Sequence, residues 1–172
     1  MISLEPELQQ YYSNLKLRAD RLSLSSKFND LKIAIGLYSE ILRGVINYEK
    51  IDSAWVDSTV NGLVNKCADR LLKTADTYFN DPKIENLKIS AKLYNMCLEI
   101  VETVSNADAQ FNSNKNYKQI NNLSRVSLNG INKCKQTYKN LYVPKKNKIS
   151  RLIDRIFHKK DKNEENFDEL KF

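Results

Sequence analysis

Side chains that carry chemistry are thinly spread in this 172-residue chain. Its one histidine, His158, stands among lysines. The three cysteines, Cys67, Cys97 and Cys134, form no C-x-x-C, and each falls inside an apolar helical pattern. Such placement suits buried free thiols in a reducing compartment, not a metal centre or a disulfide framework. The carboxylate pairs Glu99/Glu102 and Glu164/Glu165 have the pattern of solvated helix or tail charge, and no serine or cysteine has an evident base partner. The four glycines are isolated, so no Gly-rich loop is available to cradle phosphate. Trp55, near the start of a helical pattern, reads as a packing residue. Nucleophilic, metal-assisted and phosphate-cradling catalysis each lack their residues. Neither an enzyme nor a cofactor is expected.

What remains is charge, and it is uneven. The formal net charge is +7; residues 144–160 carry seven Lys/Arg and one Asp, hence +6, and residues 161–172 carry two Lys and five acids, hence −3. Within the basic stretch Ile149, Leu152, Ile153, Ile156 and Phe157 recur at helical steps, flanked or opposed by Lys145, Lys146, Lys148, Arg151, Arg155, Lys159 and Lys160. A basic amphipathic tail helix of this kind has three open uses. It folds back on the body, lies on an anionic membrane surface, or docks on a protein or nucleic acid through phosphate attraction. Residues 161–172, polar apart from Phe167, Leu170 and Phe172, are expected to be disordered in isolation.

The elements that position these groups are helices. Gly and Pro are scarce, four and three residues, which argues against a many-stranded fold. A first helix is predicted over 4–27, with Tyr12, Leu15, Ala19, Leu22 and Ser26 on one face. Asn29 or Asp30 is the expected N-cap of a second over 31–48, where Gly36 and Gly44 lie near one stripe and would let a neighbour approach closely. A third opens at Asp52 or Ser53 and runs to Asn80, with Gly62 marking a bend. Asp81 is read as the cap and Pro82 as the first residue of a fourth, over 82–104. The Asn- and Ser-rich stretch 105–117 reads as the longest loop, and a fifth helix is predicted over 117–142. Three units follow: a helical domain over 1–143, the basic tail helix over 144–160, and the acidic terminus over 161–172. The N-terminal residues lack a signal-peptide pattern and no window approaches 18 apolar residues, so a cytoplasmic location is expected.

Residues 31–45 and 87–101 repeat one another at an offset of 56, with Leu31/Leu87, Lys32/Lys88, Ile33/Ile89, Leu37/Leu93, Tyr38/Tyr94, Leu42/Leu98 and Val45/Val101 identical. The window 15–48 has the 34-residue length of a tetratricopeptide repeat. Within it Ala34, Tyr38, Ile41 and Leu42 are similar to that family's second-helix pattern, and Asn29-Asp30-Leu31 stands at its inter-helix turn; Ser90, Tyr94, Cys97 and Leu98 match in the second copy. The chain therefore resembles a degenerate tetratricopeptide (TPR)-like domain. The family's first-helix Trp and Gly-Tyr signals are missing. The three-helix microtubule-interacting-and-trafficking domain shares the Ala…Leu-Tyr…Leu signature over residues 1–80, and a generic five-helix bundle is the third reading.

The TPR resemblance implies antiparallel hairpins stacked as a right-handed array of about five helices, with Tyr38 and Tyr94 at equivalent seams. It also implies a concave groove lined by the first and third helices. Lys16, Arg18, Arg21, Asn61, Asn65, Lys66, Arg70 and Lys73 are the candidates there to grip an acidic or C-terminal peptide. The expected function is a non-enzymatic adaptor for a protein or peptide partner. The alternatives are a nucleic-acid-associated protein, or one held on a membrane by the tail.

Overall fold

The computed structural model describes residues 6–45, 48, 52–110 and 116–143. The elements are α1 (Pro6–Ser23), α2 (Phe28–Val45), α3 (Ser53–Asn61), a π-helical segment (Gly62–Ala68), α4 (Asp69–Phe79), α5 (Ile84–Gln110) and α6 (Tyr117–Tyr142). The fold is all-α, with no strand among the described residues. The tail, 144–172, lies outside the described residues.

Side-chain hydrogen bonds set the helix ends, and several differ from the sequence expectation. α1 stops at Ser23, not near Lys27, because two serines there bond locally. Ser23 Oγ donates to Asp20 O at 2.8 Å, and Ser25 Oγ accepts from Lys27 N at 3.2 Å while donating to the Asp30 carboxylate. Serine offers the backbone such alternatives to the helical ladder. The same bonds let α2 begin at Phe28, so neither Asn29 nor Asp30 is its cap. Asp52 does cap α3, its carboxylate accepting from Ala54 N at 2.9 Å. Pro82 is not a helical residue. Asp81 is tied into a turn, its backbone oxygen accepting from Lys83 N at 2.8 Å and from Asn86 Nδ2 at 2.9 Å, and α5 starts at Ile84. α5 then runs past the expected stop at Val104 to Gln110, because Val104 and Ala107 continue its buried face into the stretch read as loop. α6 spans the predicted residues.

The elements from α3 through α4 follow one another without a break in helical backbone, and the expected bend at Gly62 is instead the π-helical insertion. One core runs along the stack through Leu31, Tyr38, Leu42, Leu63, Leu71, Tyr94 and Ile100. Each fully buried aliphatic side chain contributes about 1.5–3 kcal/mol. Trp55 packs half-buried against this core. The three thiols are free and buried; burial pushes Cys67 and Cys97 each up to about 12 and raises Cys134 as well.

Candidate functional site

The helices are organised around two tyrosines in matching surroundings. Tyr38, on α2, is fully buried and donates to Asp20 Oδ1 at 2.6 Å; Asp20 belongs to α1. Tyr94, on α5, is 4% exposed and donates to the carboxylate of Asp76 on α4. Both partners lie 18 residues upstream. Beyond each ring is a glycine of the following helical element. A methyl group on Gly62 would overlap the Tyr38 ring, and one on Gly130 would overlap Tyr94. A buried cysteine completes each pocket, Cys67 beside Tyr38 and Cys134 beside Tyr94. Gly and Cys are four apart in α6 and five apart in the π segment, whose wider turn absorbs the extra residue. Burial, and then the adjoining carboxylate, raises the pKa of both phenols. These are structural seams; neither hydroxyl is poised to react.

Six of the eight residues expected to line a groove on α1 and the third helix are held in bonds within the fold. Lys16 Nζ donates to Asp20 Oδ2 at 2.7 Å, and Lys66 Nζ lies 3.9 Å from Oδ1. Burial alone would raise the Asp20 pKa, but hydrogen bonds from Lys16 and Tyr38 and the charges of Lys16 and Lys66 hold it below the usual value. Arg70 Nη1 donates to Ser23 O at 3.0 Å and so satisfies a carbonyl at the end of α1. Lys73 pairs with Asp69 at 2.6 Å, and Asn65 donates to Asn61 at 3.2 Å. Arg18 and Arg21 are exposed on α1. The structure thus gathers Lys16, Lys66 and Arg70 at one seam, where they stabilise the fold. The basic residues Lys145, Lys146, Lys148, Arg151, Arg155, Lys159 and Lys160 lie outside the described residues.

A different surface is concave. Between the start of α2, α4 and α5 lies a groove of about 410 Å³. Leu31, Leu93 and Met96 form its floor, and Phe28, Tyr78 and Ile89 stand on its walls, each more than a third exposed. Lys32, Arg70 and Lys92 rim it, and among the described residues no carboxylate lines it. Of the residues singled out from sequence as a binding site, only Arg70 is here. Lys32 and Ile89 lie in the repeated stretches, but at non-equivalent places in the two copies. The groove exists because α2 and α5 are brought together with α4, which sequence spacing alone does not reveal.

No helix among the described residues is long and apolar enough to cross a membrane. Comparison of the chain with protein-family models, curated proteins and solved structures returns no match.

Proposed function

We propose that this chain is a non-enzymatic interaction module that takes an acidic, apolar peptide segment into the groove between α2, α4 and α5. In this reading the hairpins stack as a TPR-like right-handed array, and residues 144–160 are a second attachment in a cytoplasmic adaptor. One observation carries it: an apolar floor with partly exposed aromatic walls, ringed by Lys32, Arg70 and Lys92, with no lining carboxylate among the described residues. Partly exposed apolar side chains gathered in a concavity are a recognised mark of an interaction site. Cations without partnering acids select for negative charge in whatever fills it. The matched seams of Tyr38 and Tyr94 support the stacked-hairpin reading, since each repeats the same carboxylate, ring and glycine in the same order along the chain.

Selection of a random peptide display library on the full chain tests this, with Lys32→Glu/Lys92→Glu as counter-screen. Enrichment of Asp/Glu interleaved with Phe/Leu, lost on the charge-reversed variant, supports the groove. Peptides that bind both forms equally, or that show no acidic preference, exclude it. The alternative, in which residues 144–160 contact phosphates or anionic headgroups, rests on their +6 charge. It predicts flotation with anionic liposomes, or nucleic-acid binding, that falls steeply with salt and is abolished by neutralising that stretch.

A further inference from the structure

We infer that the groove has an occupant within the same chain: the acidic segment 161–172, held through Phe167, Leu170 and Phe172. The inference rests on the groove reading above and adds its regulation, because a partner would have to displace this segment. Charge selects it. Residues 161–172 carry −3 and three large apolar side chains, which match a floor of Leu31, Leu93 and Met96 under three cations. The neighbouring stretch 144–160 has more apolar surface, but its +6 charge would meet Lys32, Arg70 and Lys92 as like charge.

Geometry permits the contact. The end of α6 is fixed beside the turn into α5, where Tyr142 Oη donates to Pro82 O at 2.7 Å. Tyr78, a groove wall, lies four residues before Pro82; Ile89, another, lies five residues into α5, about 8 Å along it. The chain therefore leaves the described fold at the groove's own end. The 24 residues from Pro144 to Phe167 span about 25–30 Å as a flexible coil, more than this separation requires. A tether of this kind gives an effective concentration of about millimolar. A segment with a trans dissociation constant of about 1 mM would then fill the groove about half of the time.

Spin labelling of the full chain tests this. Asn166→Cys introduces a thiol into the acidic segment, whereas Cys67, Cys97 and Cys134 are buried with raised pKa and resist modification near neutral pH. With a nitroxide at 166, the methyl signals of Met96 and Ile89 are expected to broaden selectively while Leu128, exposed on α6, stays sharp. The broadening is expected to be lost when Phe167→Ala, Leu170→Ala and Phe172→Ala are added. Uniform broadening, none, or broadening that survives the triple substitution overturns the inference. Pairing of the acidic segment with 144–160 in place of the groove would give one of those results. If the display selection still returns groove-dependent peptides in that event, the groove reading stands and only its internal occupant is lost.

Discussion

Tyr38 and Tyr94 are held by the same three kinds of neighbour, yet their carboxylates live differently. Asp20 is half-buried and bracketed by Lys16 and Lys66, while Asp76 is exposed. The first seam is therefore neutralised from α1 and from the π segment at once. The second has its ring against Gly130, in an unbroken α-helix. The comparison teaches that the aromatic, carboxylate and glycine form the repeated unit, and that the cations around them are local additions. On the α1 face Lys16 is paired with Asp20 while Arg18 and Arg21 stay exposed, whereas Lys32, Arg70 and Lys92 stand together around the groove.

Removing a ring is the most severe way to break the equivalence. Tyr38→Ala and Tyr94→Ala are each expected to cost about 3–5 kcal/mol in chemical denaturation, as for other large buried aromatics. A loss under about 1 kcal/mol at either position would mean the two seams are not equivalent. Next come the glycines. Gly62→Ala and Gly130→Ala force a methyl group into a tyrosine ring and are expected to destabilise by about 1–3 kcal/mol, net of the better helix propensity of alanine. Gly36→Ala meets nothing within 4 Å and is expected to raise the melting temperature, by up to about 1 kcal/mol of stability. Opposite signs at Gly36 and Gly130 would confirm that close approach, not helix propensity, decides the glycine positions.

The hydroxyls sharpen the comparison further. Tyr38→Phe is expected to cost about 1.5–3 kcal/mol, since a bond to a charged group is lost, and Tyr94→Phe less because water can replace the donor at exposed Asp76. Both phenols have folded pKa values above the unfolded value of about 10. Their contribution is therefore complete below pH ~10 and is lost as pH rises toward the folded values. In an ultraviolet titration two of the nine tyrosines should ionise only as the chain unfolds. Asp20 has the opposite sign: its lowered pKa stabilises the fold above about pH 4, and that share is lost as pH falls through the folded value. Asp20→Asn should flatten the acid limb of the stability curve. The smallest effect is expected at Ser127, whose buried Oγ lies beside the Cys97 thiol without a conventional hydrogen bond. Ser127→Ala should be neutral within about 0.5 kcal/mol or stabilising, since it removes a desolvated hydroxyl.

Much of this frame was legible in the chain. The repeat over 31–45 and 87–101 places Tyr38 and Tyr94, and extending its 56-residue offset backwards pairs Ala19-Asp20 with Ala75-Asp76, the carboxylates that receive the two hydroxyls. Asp20 and Asp76 lie outside the stretches 31–45 and 87–101, where identity is densest. The glycines were not legible in this way. Gly62 and Gly130 are 68 apart, because connection lengths differ between the copies and the π segment inserts a residue. Gly36 and Gly44 were the expected close-approach sites. Gly36 faces open space, whereas Gly44 does admit a neighbour closely: a methyl group there would overlap the Tyr12 hydroxyl of α1. The groove escaped for a different reason. It draws on three helices and the connection between α1 and α2, and no pattern along one helix encodes how they converge.

The central claim, that the cationic apolar groove is the binding surface, is tested most directly by methyl and backbone NMR of the full chain titrated with an acidic, aromatic peptide from the display selection. The account predicts shifts confined to Phe28, Leu31, Ile89, Leu93 and Met96, abolished by Lys32→Glu/Lys92→Glu. Shifts centred instead on Arg18 and Arg21 of α1, unaffected by that charge reversal, would contradict it.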